Sequence, residues 1–172
     1  MKNITKVLAI AVIALGLSNS SFAQATATAS ATATIITPIT IVKTVDMNFG
    51  NVAVSASLAG TVVLAPAGGR TTGGAGGVTL PATTGTVTAA SFTVSGQSGY
   101  TYAITLPSTI NITDAASHTM AVNNFVSNPA TTGTLTSGSQ VLTVGATLNV
   151  AAAQPAGTYT NATGVSVTVN YN

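Results

Sequence analysis

The last residues of the chain read Val165-Ser166-Val167-Thr168-Val169-Asn170-Tyr171-Asn172, and this strict alternation leaves little choice of conformation. Successive side chains of an extended strand point to opposite faces. Val165, Val167, Val169 and Tyr171 therefore share one side, and Ser166, Thr168 and Asn170 the other. The pattern predicts a half-buried β-strand whose apolar side closes a core. An aromatic residue next to the final one further predicts an end that is held by neighbours and does not fray.

The same period recurs upstream. Ile39, Ile41, Val45, Met47 and Phe49 fall on one face of a strand, with Pro38 placing its start at an edge or a break. Thr61–Leu64 is β-rich and closed by Pro66, whereas Gly68–Gly77 has the composition of a loop. Val78–Leu80 is a short strand before Pro81. Val87–Ser95 carries Phe92 and Val94 on one face. After a turn at Gly96–Gly99, Tyr100, Tyr102, Ile104 and Leu106 alternate to Pro107, so the two runs are expected to form a hairpin. Ile110–Thr113 and Thr119–Val126 are shorter strands. Gln140–Val150 directs Leu142, Val144, Ala146, Leu148 and Val150 one way. No helical stripe of period 3.6 competes, and Gly, Pro and Asn punctuate the strands. The fold class is therefore all-β, an immunoglobulin-like antiparallel β-sandwich of about eight short strands, preceded by a cleaved signal peptide helix.

That leader is expected at residues 1–23: Lys2 and Lys6 form a basic start, Val7–Leu17 an apolar run, and Ser21-Phe22-Ala23 a small-x-small cleavage site. The apolar run is too short to span a bilayer, which takes about 20 residues. Export by the Sec pathway is expected to bring the chain to the periplasm and then to the cell surface or the medium, with no integral membrane segment kept. Removing 23 of 172 residues leaves 149, enough for one domain with a core. It also removes two of the four basic side chains. Lys43 and Arg70 then balance Asp46 and Asp114, and the net charge is zero. No basic patch remains for nucleic acid. A neutral, cysteine-free exported domain must be stabilised by burial and backbone pairing alone, and has little charge repulsion to oppose self-association.

Catalytic chemistry finds few residues. His118 is the only histidine; as a general base it would want a nucleophile and an orienting carboxylate, and its segment Ala116–Thr119 reads as a surface loop. Asp46 lies by a strand end and Asp114 in turn chemistry, so they are not read as an acid/base pair. One histidine, two aspartates and no cysteine build neither a zinc nor a calcium site. Gly68–Gly77 lacks the Lys-Ser/Thr ending of a phosphate loop. The expectation is a protein that is not an enzyme and takes no cofactor. Tyr100, Tyr102 and Tyr171, which share the inward parity of their strands, are read as core or rim packing and not as a sugar platform, with Tyr159 pinning the corner before the last strand.

One segment has strand period but little to bury. In Gln24–Thr34, small and polar residues alternate, so that Ala25, Ala27, Ala29, Ala31 and Ala33 share a face with Ile35. Alanine contributes little area at roughly 25 cal/mol per Å², so the stretch is either a flexible leader or a strand completed by something else. Residues 24–36 are accordingly read as an N-terminal extension and 37–172 as the domain.

Several stretches together resemble a family of secreted bacterial domains of unknown function. They are Thr37-Pro38-Ile39-Thr40-Ile41 with Lys43-Thr44, then Asn48-Phe49-Gly50-Asn51-Val52, then Phe92-x-Val94-x-Gly96 with Tyr102-x-Ile104-x-Leu106-Pro107, and the ending from Ala156-Gly157-Thr158-Tyr159 to Tyr171. That ending is also similar to spore-coat-U and chaperone–usher pilin domains. The pilin resemblance implies an incomplete sandwich completed by a strand from the next subunit. Ala25, Ala27, Ala29, Ala31, Ala33 and Ile35 would form the donor strand, and Val165, Val167, Val169 and Tyr171 a wall of the acceptor groove. It further implies a homopolymer built by strand exchange, a periplasmic chaperone and an outer-membrane usher as partners, and a structural subunit of a fibre. The chain lacks the disulfide of the best-known pilins and the bulky donor residues, which leaves Ile35–Val45 as a second candidate donor. A self-complemented monomer with a loose leader, or a secreted adhesin or matrix protein binding a glycan or surface, are the other readings of the same residues.

Overall fold

The structure, a computed structural model, describes residues 24–172, so the expected signal peptide helix lies outside the described residues. The chain divides into two units, Met1–Ile35 and Ile36–Asn172. In the first, residues 24–35 carry no regular secondary structure. The second holds β1 (Thr40–Val45), β2 (Ala53–Val54), β3 (Gly60–Leu64), β4 (Arg70–Gly73), β5 (Val78–Thr79), β6 (Ala90–Ser95), β7 (Thr101–Thr105), β8 (Thr109–Thr113), β9 (Thr119–Asn128), β10 (Thr132–Thr134), β11 (Ser139–Val150) and β12 (Thr168–Tyr171). It is all-β, and every strand pairing is antiparallel.

The long strand β11 is the axis of the larger sheet. Its first half pairs with β6 and its second half with β3, while Thr143–Leu148 pairs with β9. Thr143 and Val144 are partners of both β6 and β9, so those two strands lie on opposite edges of β11. Beyond them β1 pairs with β6, β8 with β9 and β4 with β3, which makes seven strands. The second layer is smaller, three strands in the order β10-β7-β12, and β2-β5 forms a separate pair.

Alternation along these strands fills two clusters. One joins Phe92, Val94, Leu142 and Val144 of the large sheet to Tyr102 and Val169 of the small one, with Leu135 between them. The other gathers Val62, Val122, Ala146, Leu148 and Val150 with Val78. The five inward residues expected on β11 are all buried, at 0–3% exposure. Each large side chain of this kind is worth roughly 1.5–3 kcal/mol on burial.

Tyr102 lies wholly inside the first cluster, and burial pushes its phenol upward from the ordinary tyrosine value. Its hydroxyl donates to Gln140 Oε1 at 2.9 Å, which also accepts from the Thr134 amide at 2.9 Å. The ring passes directly over Gly133 of β10, where a Cβ would collide with the phenol and with Gln140 Oε1.

The structure corrects several sequence expectations. β6 and β7 are not a hairpin: β6 pairs with β1 and β11 in one sheet, β7 with β10 and β12 in the other, and Gly96–Gly99 carries the chain between layers. Part of the glycine-rich stretch is strand, because Arg70–Gly73 pairs with Thr61–Leu64. Its two threonines suit a pleated edge, and Arg70 is fixed by donating to the carbonyls of Phe49, Asn51 and Thr84. The closing strand is paired only from Thr168, although Val165 and Val167 keep the inward alternation as half-buried residues. Val45 is 39% exposed, because a bulge between Lys43 and Val45 breaks the face expected of β1.

Gly133→Ala should lower unfolding stability by about 1–3 kcal/mol, the usual cost of overpacking a filled core. Gly69→Ala, where an added Cβ meets nothing within 4 Å, should leave it unchanged. Urea denaturation followed by tyrosine fluorescence checks both.

Candidate functional site

The small sheet covers only one of the two clusters. Over the other, the large sheet is overlaid by two largely irregular segments, residues 46–52 between β1 and β2 and residues 154–165 before β12, with a groove of about 890 Å³ between them. Its floor is apolar: Ile110 and Ile112 of β8, Met120 and Val122 of β9, and Leu148 and Val150 of β11. Met47, Phe49 and Val52 line one wall, and Val165 the other. Ile110, Ile112, Met120, Met47, Phe49 and Val52 pack on the second cluster yet are only partly buried, so apolar surface stays in contact with solvent here.

Both walls are anchored on their outer sides. Asn48 exchanges backbone bonds with Thr88 at 2.8 and 3.0 Å, and the Asn51 amide donates to Thr84. Across the groove, Thr160 exchanges bonds with Thr113 at 2.8 and 3.0 Å, and Asn161 Nδ2 donates to the Asn111 carbonyl at 2.8 Å. The Tyr159 hydroxyl donates to the Pro155 carbonyl at 2.8 Å, pinning the corner as expected. Among the described residues the two walls are tied to each other only at their ends. At one, the Ala153 amide donates to the Ser55 carbonyl at 2.9 Å.

At the other end, Tyr171 acts as a latch. Its hydroxyl accepts from the Gln97 amide at 2.6 Å and donates to the Thr37 carbonyl at 2.7 Å, tying the final strand to the chain just before β1. The approach is possible because residue 96 is glycine, where a Cβ would strike the Tyr171 hydroxyl. Tyr100, 43% exposed, lies at the rim and packs its ring edge-on to Tyr171 at 5.7 Å between centroids.

Between those ends β12 has a free backbone edge among the described residues. It pairs with β7 alone, and the Asn172 amide donates to the Thr101 carbonyl. By the alternation of an antiparallel ladder, Thr168, Asn170 and Asn172 present their backbone groups to β7. Val167, Val169 and Tyr171 present theirs to the open side. The four residues expected to form a groove wall share an inward face, with Val169 buried and Val165, Val167 and Tyr171 half-buried, but only Val165 lines the groove; Val167, Val169 and Tyr171 pack on the first cluster. The expected donor residues Ala25, Ala27, Ala29, Ala31 and Ala33 are exposed, and Ile35 is 96% exposed.

Among the described residues the titratable side chains form two pairs. Lys43 and Asp46 form an exposed i,i+3 pair at 2.6 Å, a contact of small energetic consequence. Asp114 caps the β8–β9 loop: it accepts from the amides of Ala116 and His118 and lies 2.8 Å from His118 Nδ1. The imidazole hydrogen bond, opposed by partial desolvation and aided by the two amides, holds the carboxyl below the ordinary aspartate value. Among the described residues no group of three His, Cys, Asp or Glu converges as a metal site would require, and no helix is long and apolar enough to cross a membrane.

A family model, DUF4402, a domain of unknown function, matches residues 39–171, from the strand before one wall of the groove to the Tyr171 latch. The chain belongs to the DUF4402 family. No curated protein and no solved structure matches it. The matched stretch leaves residues 24–38 outside, so the alanine alternation stands apart from what defines a DUF4402 domain.

Tyr171→Phe should strip the Gln97 amide and the Thr37 carbonyl of their shared partner, at a cost of about 1–2 kcal/mol in urea unfolding. Asp114 has a folded pKa below its unfolded one, so its contribution is present above the unfolded value and is lost as pH falls through the folded value. A carboxyl-carbon NMR titration should place the Asp114 midpoint below that of a free aspartate, and His118→Ala should move it back up.

Proposed function

We propose that this DUF4402 domain is a structural subunit of an extracellular or cell-surface fibre, assembled by β-strand donation. The observation that carries the reading is the unfinished second layer. Among the described residues the last strand pairs on one edge only, and the segment leading into it lines, at Val165, an apolar groove whose two walls share no backbone bond between the Ser55 and Tyr171 contacts. A strand added there would satisfy free backbone groups and cover exposed apolar side chains in one step, as β-augmentation does. In this reading the domain has the incomplete immunoglobulin-like form of a pilin.

A suitable strand exists in every copy. Residues 24–36 alternate with a two-residue period and carry no regular secondary structure. They would be supplied to the groove of a neighbouring copy, giving a homopolymer, with a chaperone and an usher as the partners that hold and deliver an open groove. Near-neutral charge removes the long-range repulsion that would oppose such packing. The domain does its work through pairing, without catalysis or a cofactor.

Surface material sheared from cells and run unheated in detergent should give a ladder of oligomers that collapses on boiling. Deleting residues 24–36, or changing Val165→Asp in the groove wall, should reduce the ladder to monomer while the domain stays folded. A protein that remains monomeric in native shearings and binds an immobilised glycan would overturn the reading in favour of an adhesin.

A further inference from the structure

The large sheet has a second face, turned away from both apolar clusters, and among the described residues no strand covers it. Residues directly opposite in a ladder point to the same side, so the register identifies what this outer face carries. Val42 of β1, Thr93 of β6 and Val141 of β11 form one row across three strands. In the next row the bulge after Lys43 sets Val45 opposite Ser91, which lies opposite Thr143. Val126 of β9, opposite Gly145, extends the patch by a further row. Val42, Val126 and Val141 are 62%, 49% and 60% exposed. On the β3 side the patch ends at Gly145, where a Cβ would meet the backbone of Leu64–Pro66.

The solvated face of an antiparallel sheet is ordinarily polar, and charged side chains are the usual guard against association. Here the outward positions hold valine between threonine and serine, and the charged side chains lie elsewhere. Lys43, opposite the inward Phe92, pairs with Asp46; Arg70 donates to carbonyls of a groove wall; Asp114 and His118 close the β8–β9 loop. With no cation the patch has nothing to hold a nucleic acid or an anionic lipid. It has no aromatic ring on which to stack a sugar, since Tyr100, Tyr102 and Tyr171 belong to the small sheet and Tyr159 to a groove wall. A second copy of the same patch fits it. Two uncharged faces meet without like charges, and their β-branched side chains can interdigitate as those of packed sheets do.

We propose that the outward patch around Val42, Val126 and Val141 is a lateral contact between copies of this chain, joining neighbouring fibres face to face. The proposal rests on the fibre reading, because the patch is small. Four strands ~4.8 Å apart, each contributing about six residues at ~3.3 Å, give roughly 400 Å² per copy, about half of the ~800 Å² that each partner supplies to a stable complex. One pair of patches is therefore transient. Two aligned polymers repeat the contact at every subunit, and that repetition turns a weak pairing into a lasting one. The contact uses the face of the large sheet and no backbone edge, so strand donation leaves it free.

Fibres sheared from cells should pellet at low speed as bundles and lie side by side in electron micrographs. Val141→Lys and Val141→Glu each oppose like charges across the contact while leaving the core untouched, and each should lower the pelleted fraction about ten-fold with the detergent-resistant ladder unchanged. Thr93→Lys, in the same row one strand away, should act alike. An equimolar mixture of Val141→Lys and Val141→Glu fibres should restore pelleting to within about two-fold of the unmodified chain, because the opposed charges now attract. Variant fibres that pellet as the unmodified ones do, or a mixture that stays dispersed, would overturn the proposal and leave the fibre reading intact. Absence of a ladder from the unmodified chain would remove the fibre reading and with it the repetition on which this contact depends.

Discussion

Backbone pairing along β11 is the constraint on which the domain depends. That strand is bonded on both edges through the middle of its length, to β6 or β3 on one side and β9 on the other, and its inner face supplies residues to both apolar clusters. A chain without cysteines holds so many short strands in register by backbone pairing together with burial. The sheet built on β11 is wider than the layer laid over it. The small sheet β10-β7-β12 covers the first cluster and leaves the second under two irregular segments, which produces the groove.

An open edge next to exposed apolar surface is a hazard for a soluble protein, since it templates indiscriminate pairing. Here both flanks are secured away from the groove, at Thr88 on one side and Thr113 on the other, so the opening is held in place by the fold. The Tyr171 latch and the Ala153–Ser55 bond fix its two ends. In the proposed reading, a site defined at both ends and lined by valine, isoleucine and methionine takes a partner of limited length that presents apolar side chains at every second position. Residues 24–35 have that form.

Much of the fold was legible because a period of two is hard to mistake when valine or leucine occupies the inward positions. The Leu142–Val150 series, Phe92 with Val94, and Val167 with Val169 all sit as their alternation requires. Strands without that signature were missed. Thr132–Thr134 has glycine at its inward position because Tyr102 needs the space, and Arg70–Thr72 is held by its partner β3 and by guanidinium bonds to carbonyls distant in sequence. Alternation also says nothing about which sheet a strand joins, so the short turn at Gly96–Gly99 was read as a hairpin when it crosses between layers. The shared inward face of Val165, Val167, Val169 and Tyr171 was legible from parity, although only Val165 of the four lines the groove. The groove floor was not, since the meeting of Ile112, Met120 and Val150 is a matter of topology that local pattern does not encode.

The central claim is that the last strand offers one satisfied and one unsatisfied edge, and amide hydrogen exchange of the isolated domain by NMR tests it most directly. The account predicts an alternation along the strand: Thr168, Asn170 and Asn172, which face β7, are protected, while Val167, Val169 and Tyr171 exchange at near the rate of free amides and become protected on assembly. Equal, high protection of all six amides in the isolated monomer would mean that the edge is already filled, and would contradict the account.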